Sequence, residues 1–523
     1  MILFGLLILI SGIILLVLSG VPSLATRIHE LQPSMPNYKY WVFGAIAIGF
    51  LGSVLDHGST NVALPTIASH FHTDIPTIQW VVIGYTLAIT ALLLPMGRLS
   101  DLLGRKKVYL IGSAVYVIAA GLAGSSISLP MLISVRLIQG VGAAMTQGTG
   151  MAIMISAFPS RERGKAIGLV MTVVGSGAVA GPALGGLLVD AFGWPSVFFI
   201  NVPVGLLGIF ATIIILQEPD SGPDKSNAGI SFDWLGAALS TGALVTLLLA
   251  MTMGHRAGWT SPPIIAAVIA FFGLSASFIR WELHTPNPML DLRLFGRKTF
   301  SFGVSAAFLN FLGSSAVLFL MPFYLQGVLG YGATAAGLMV MSGALLMAVM
   351  GPITGTLSDR FGWRIFAVGG MSCVATGLFI LSRLTEQSSW TLALPGLMFV
   401  SAGQGIFYSP NSSSVLSSVE LQGYGIVVAL LNLVRNGANI ISLAMATAII
   451  TATMGAMGFE PSFDAVRESE SVGVSYAFSV GMRNALLTMM ALMMTGMAIS
   501  ALQGEKDDVV ATTSPATDGQ NSD

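Results

Sequence analysis

Along most of this chain, apolar residues come in blocks of about twenty, the length an α-helix needs to cross a bilayer. Short polar breaks separate the blocks, and neither strand-like alternation nor a soluble amphipathic stripe persists for long. Spanning helices are predicted near residues 41–65, 78–99, 107–126, 131–157, 165–189, 196–217, 231–252, 262–281, 300–325, 334–357, 364–383, 391–411, 424–452 and 478–502, fourteen in all. An even number places both ends of the set on one side. Residues 1–22 are a further apolar run that lacks the basic start of a secretory leader. It is either a fifteenth span or an artefact of the assigned start, because Met35 precedes the first span at a normal distance. The tail beyond residue 503 is polar and is expected to be disordered.

Within the fifth span, Gly177, Gly181 and Gly185 recur one helical turn apart, with Pro182 and Gly186 beside them. Such a stripe lets two helix backbones approach closely, as small-xxx-small pairs do in membranes. Pro182 removes a backbone donor and is expected to bend the helix there. In a bilayer, neighbouring helices satisfy the freed groups.

Composition strengthens the membrane assignment: 54% of residues are hydrophobic, 9% are charged and the mean hydropathy is +0.81, against roughly 25% charged in soluble domains. A net charge of −1 offers no basic surface for nucleic acid. The one cysteine, Cys373, excludes an intramolecular disulfide. His70 and His72 have no nearby cysteine or carboxylate cluster, so no metal site is expected. No Gly-x4-Gly-Lys-Ser/Thr loop occurs, so no ATP site is expected either. No cofactor is implied.

Basic residues alternate between the two sets of connections. One set holds Arg98, Arg105, Lys106, Lys107, Arg161, Arg163 and Lys165, with Arg297, Lys298, Arg360 and Arg364 further on; the other holds Arg256, Arg383 and Arg467. The positive-inside rule makes the rich set cytoplasmic, which places the C-terminus in the cytoplasm. The longest outer loop, about 453–477, carries Glu460, Asp464, Glu468 and Glu470.

The chain also repeats itself. Gly97-Arg98-Leu99-Ser100-Asp101-Leu-Leu-Gly104-Arg105 returns as Gly355-Thr-Leu357-Ser358-Asp359-Arg-Phe-Gly362-Trp-Arg364, each between two apolar spans. Internal repeats of this kind build secondary transporters, with the binding site between the halves near the midplane.

These paired loops resemble the signature of the major facilitator superfamily. Leu55-Asp56-His-Gly-Ser-Thr60-Asn61-Val62-Ala63-Leu64-Pro65, Gln79-Trp80-Val-Val-Ile-Gly-Tyr85, Arg136-Leu-Ile-Gln139-Gly140-Val-Gly142 and Val434-Arg435-Asn-Gly437 resemble the first, second, fourth and thirteenth spans of its fourteen-span drug/proton antiporters. The fifth-span stripe is similar to the antiporter motif. The resemblance covers about residues 38–502. Two departures stand out: His57-Gly58-Ser59 after Asp56, and Pro195 where the branch carries arginine. The resemblance implies an all-α polytopic protein of the major-facilitator fold, two pseudo-symmetric six-helix bundles with two inserted spans. Its boundaries would be a 1–34 extension, bundles at 38–217 and 300–502, a linker with the inserted pair at 218–299, and a 503–523 tail.

Few charges occur within spans, and each insertion is unfavourable by about 2.5–3.5 kcal/mol. Asp56, Arg136 and Arg435 are the exceptions. Burial favours a protonated carboxyl and a nearby cation favours the ionised one, so Asp56 is expected to load and release a proton as Arg136 moves. A static Asp–Arg pair locking two helices is the alternative. Gly97, Asp101, Gly104 and Arg105, with Asp359 in the second copy, are expected to latch the cytoplasmic side. Gln139, Asn310, Gln404, Tyr408, Asn432 and Arg435 are candidates to line the cargo cavity. With Asp56 as the sole deeply placed carboxylate, neutral or monovalent lipophilic cargo is favoured over multivalent cations.

The sequence therefore reads as a proton-coupled exporter of lipophilic drugs or metabolites in a bacterial inner membrane, powered by the proton gradient. Its partners are the lipid bilayer, protons and a small lipophilic substrate, and a periplasmic adaptor protein is left open. A proton symporter for uptake on the same fold is the rival, and a non-transporting membrane scaffold a more distant one. No metal cluster, triad or nucleotide loop supports an enzyme.

Overall fold

A computed structural model of the chain describes residues 38–159, 162–216, 233–258, 260–285, 292–419, 424–459 and 472–502. The N-terminal extension, the first part of the linker, the acidic stretch 460–471 and the C-terminal tail lie outside the described residues.

Fourteen described helices are long and apolar enough to cross a membrane. In chain order they are α1 (Tyr38–His70), α2 (Trp80–Leu103), α3 (Arg105–Gly124), α4 (Leu129–Ala157), α5 (Arg163–Phe192), α6 (Asn201–Ile215), α7 (Trp234–Ala257), α8 (Pro262–His284), α9 (Lys298–Phe323), α10 (Ala333–Phe361), α11 (Trp363–Leu381), α12 (Trp390–Ser417), α13 (Tyr424–Ala456) and α14 (Val472–Leu502). No strand occurs among the described residues. The fourteen predicted spans are all found, with shifted ends.

The sixth span differs from expectation. It begins as a separate turn, Ser196–Phe199, before α6 proper. Pro203 has no amide to bond the carbonyl four residues back, so the ladder is interrupted where Phe199 and Ile200 meet. The ninth span runs past its predicted end through a π-helical turn, Tyr324–Val328, just after Pro322. By contrast α5 continues as one helix through Pro182.

The internal repeat is visible in the packing. In the first half, α1 packs on α5 and α6, α2 on α4, and α3 on α4 and α6. In the second, α9 packs on α13 and α14, α10 on α12, and α11 on α12 and α14. The two patterns coincide when each helix is advanced by eight. The halves meet along α5 with α10 and along α2 with α13, two contacts that the same shift exchanges. Helix α7 leans on α2 and α13, whereas α8 packs chiefly on α7. Only 6% of the apolar window of α8 is buried, so this helix is peripheral and its surface suits lipid.

The repeated loops fold alike. Gly104 (φ 99°) ends α2 and starts α3, and Gly362 (φ 82°) ends α10 and starts α11. Residues with a Cβ are strained at such angles, so glycine alone turns this corner freely. Ser100 Oγ donates to the Gly97 carbonyl at 2.6 Å, and Ser358 Oγ to that of Gly355 at 2.7 Å.

Candidate functional site

The deepest polar cluster forms where α1, α2, α4 and α6 converge. Asp56 and Arg136 are both fully buried, and Arg136 Nη1 donates to Asp56 Oδ2 at 2.7 Å. The same nitrogen donates to Gln139 Oε1 at 2.8 Å, one helical turn along α4. Arg136 Nε donates to the Val81 carbonyl of α2 at 3.0 Å. Its Nη2 has no hydrogen-bond partner. The guanidinium instead lies over the Tyr85 ring, 4.2 Å from its centroid, with Phe198 at 5.5 Å. A desolvated cation over an aromatic face gains about 2 kcal/mol.

The second carboxylate oxygen is also held. Asn201 Nδ2 donates to Asp56 Oδ1 at 2.8 Å and to the Val197 carbonyl at 3.1 Å, while Gln139 Nε2 lies 3.5 Å from that oxygen. Asp56 thus receives donors from two other helices. Sequence reasoning paired Asp56 with Arg136 but missed Asn201, which stands 145 positions away at the first turn of α6.

From this cluster a hydrogen-bonded chain of two hydroxyls and an amide runs towards the end bearing Arg105, Lys106 and Arg364, the basic end. The Tyr85 and Ser53 hydroxyls are 2.8 Å apart, and Gln147 Nε2 donates to Ser53 Oγ at 2.9 Å. Gln147 is half-buried. Beside Ser53 lies a cavity of about 10 Å³ lined by Tyr109, Ser113, Tyr116 and Thr146, room for about one water.

The remaining cavity candidates divide. Gln404, Tyr408, Asn432 and Arg435 are half-buried in mid-helix. Gln404 Nε2 donates to Ser314 Oγ at 2.5 Å, and Tyr408 packs edge-on against Phe311 at 5.9 Å. Asn310 is fully enclosed, and neither side-chain polar atom has a partner. Gln139 belongs to the Asp56 cluster. Asp56 is also not the only buried carboxylate: Glu282, 4% exposed, sits at the end of α8. There its Oε1 and Asp233 Oδ2 both flank Gly236. Its place next to Trp281 and His284 at a helix end hid it from a search of span centres.

The glycine stripe does what its spacing suggests. Cβ atoms at Gly181 would come within 3.1 Å of the Gly58 Cα, and at Gly185 within 2.5 Å of the Ser59 Cα. Gly186 faces the other way, against the Ala333 carbonyl of α10, and Gly337 of α10 meets the Pro182 carbonyl. The halves are therefore in backbone contact at the end opposite the basic one. Asp190 Oδ2 accepts from the Thr334 amide at 2.8 Å there, and Gln326 Nε2 donates to the Val62 carbonyl at 2.9 Å.

At the basic end, Arg105 Nη1 donates to the Ala152 carbonyl at 3.5 Å. Lys106 Nζ donates to the carbonyls of Ile213 and Leu216 at the end of α6. These bonds stay within α1–α6. Gly97 packs near the Gly148 carbonyl, and a Cβ there would lie 3.7 Å from it. The side chains of Asp101 and Asp359 are outside the described set.

Two repeated helical halves, closed against each other at one end and holding an ion pair in the membrane interior, define the plan of a secondary transporter. The chain belongs to the major facilitator superfamily, whose family profile matches residues 46–235 and 225–443. It is 35% identical over 414 residues to the riboflavin transporter RibZ of Clostridioides difficile, covering 79% of this chain and 88% of that one. It is 30% identical over 413 residues to the multidrug resistance protein Stp of Mycobacterium tuberculosis, covering 79% and 76%. Among solved structures it resembles a bacterial homolog of the human lysosomal transporter Spinster in an inward-facing, unoccupied conformation. The TM-score is 0.65 at 17% identity, covering 89% of this chain and 97% of that one. That likeness concerns the fold.

Proposed function

We propose that this protein is a proton-coupled exporter of lipophilic drugs or metabolites that works by alternating access between α1–α6 and α9–α14. The observation that carries the reading is the Asp56 carboxylate, fully buried and held by Arg136 and Asn201. Intramembrane carboxylates are functional by default. A proton arriving on Asp56 cancels its attraction for Arg136, whose guanidinium keeps Gln139, Val81 and the Tyr85 ring. Release of the pair frees α1 and α4 to shift relative to each other, so protonation and helix position are linked. The Tyr85–Ser53–Gln147 chain offers the proton a way towards the basic end.

With the basic end cytoplasmic by the positive-inside rule, the contacts of α5 with α10 close the outer side. The protein then sits multi-pass in the inner membrane with its C-terminus in the cytoplasm. Proton flow supplies about 2.3 kcal/mol per charge per 100 mV and about 1.4 kcal/mol per pH unit, so no cofactor is required. Export is supported by the name of the Stp relative and by the packed glycine stripe of α5. The riboflavin transporter relative supports a second reading, a carrier dedicated to one small metabolite, including proton symport for uptake.

Inside-out vesicles with an imposed pH gradient test this. Wild-type protein should accumulate lipophilic cargo while protons leave the lumen, and Asp56→Asn should abolish both. Cargo and protons moving in the same direction would replace export by symport.

A further inference from the structure

Arg136 and Arg435 are two arginines within spans with opposite surroundings. Arg136 is enclosed, and its charge is neutralised by Asp56. Arg435, about a third of the way along α13, is half-buried and forms no hydrogen bond or ion pair with any described residue. The Asp56–Arg136 pair is neutral as a unit, so it does not balance the positive charge of Arg435. A guanidinium at membrane depth is retained where water or an anion solvates it.

Its surroundings narrow the choice. Asn432 and Asn439 lie on the same helical face, at i−3 and i+4, and both are half-buried. His57, on α1 of the other half, feels the charges of both Arg136 and Arg435. Ala438, next to this polar strip, packs in a cluster with Phe311 and Tyr408. The cation and the two amides thus share a helical face with Ala438, whose cluster supplies an aromatic wall in Phe311 and Tyr408. That combination matches a flat lipophilic body carrying one acidic group. A small inorganic anion would leave the aromatic wall unused.

We propose that Arg435, assisted by Asn432, Asn439 and His57, binds the acidic group of the cargo, and that the preferred cargo class is aromatic monoanions such as carboxylates and phenolates. This rests on the transport reading above and sharpens it, because exporting an anion against an inward proton lets the membrane potential drive both charges.

The test uses the full chain in lipid nanodiscs and two xanthene dyes of similar shape, fluorescein, at a mildly acidic pH where it carries one negative charge, and rhodamine 123 (cationic), read by fluorescence anisotropy. Wild type should bind fluorescein more tightly than rhodamine 123. Arg435→Gln should weaken fluorescein by roughly tenfold or more, the scale of a charge-assisted hydrogen bond, while rhodamine 123 binding is kept or strengthened. Retained rhodamine 123 binding also certifies the fold. Arg435→Lys, which keeps the charge but loses the planar fork, should fall between. Equal wild-type affinities, fluorescein binding indifferent to Arg435→Gln, or no fluorescein binding would each overturn the assignment. Dye flux in vesicles separates this from the transport reading. Proton-coupled fluorescein flux that needs Asp56 but is indifferent to Arg435→Gln sinks the anion site and leaves antiport standing. Arg435-dependent fluorescein binding without any proton-coupled flux does the reverse.

Discussion

The carboxylate of Asp190, at the end of α5, accepts a 2.8 Å hydrogen bond from the backbone amide of Thr334 in the first turn of α10. Gly332, the residue before α10, has no side chain to cap the free amides of its first turn. Asp190 caps it from the other half of the molecule. A bond that satisfies a helix terminus only while the halves are closed favours that closed state. Asp190→Ala should remove about 1 kcal/mol, a population shift of roughly fivefold towards opening. Spin labels at Phe192→Cys and Tyr331→Cys in a Cys373→Ser background would report the distance distribution. Asp190→Asn keeps an acceptor and should shift it less. An unchanged distribution in Asp190→Ala would mean that the bond does not hold the gate.

Backbone contact at the same end makes a second prediction. A Cβ at Gly186 would collide with the Ala333 carbonyl and lie 2.8 Å from the Thr334 Cα, and one at Gly337 would collide with the Pro182 carbonyl. Backbone cannot swing aside as a side chain can. Gly186→Ala and Gly337→Ala should each be unfavourable by about 1–3 kcal/mol, as overpacking is, in this closed state. Gly175→Ala, whose Cβ would meet only the Ala348 Cβ at 3.9 Å, should be neutral. Melting temperatures of the purified protein check the contrast, and equal effects at 175 and 186 would refute it.

The repeated turns carry a third. Gly104 and Gly362 adopt φ of 99° and 82° at equivalent corners. Alanine at either should be unfavourable by about 1 kcal/mol or somewhat more through backbone strain alone. The corners belong to different halves, so the double substitution should lower stability by the sum of the two. Denaturation of the single and double variants measures this. A tolerated Gly104→Ala would show that the corner relaxes.

Much of this fold was legible because the bilayer imposes one length and one polarity on every span. The Gly97 and Gly355 loops revealed the repeat for the same kind of reason: a corner between two spans leaves few chemical solutions. Asp56 and Arg136 were legible because charge at depth is rare. Asn201 was not, since an asparagine near a helix start looks like any other polar residue until α6 is docked on α1. Asn310 misled in the opposite sense: a polar residue in a span was read as cavity lining, yet packing of α9 encloses it. Helix periodicity fixes a face, but it does not say whether that face meets lipid, water or another helix.

The Asp56 cluster yields the sharpest energetic prediction. Removing one partner of a buried ion pair strands the other, which is unfavourable by about 3–5 kcal/mol, whereas replacing both by neutral groups is often tolerated. Arg136→Gln should therefore destabilise the protein strongly, leaving Asp56 with Asn201 and Gln139 as donors. Asp56→Asn should be milder, because the Arg136 guanidinium keeps Gln139 Oε1, the Val81 carbonyl and the Tyr85 ring. The Asp56→Asn/Arg136→Gln double variant should recover most of the stability lost in Arg136→Gln, yet should not couple cargo to protons. Thermal unfolding and vesicle flux on the four proteins separate structure from function. Strictly additive losses would show that the two residues stabilise the fold independently. Restored coupling in the double variant would show that the proton is carried elsewhere.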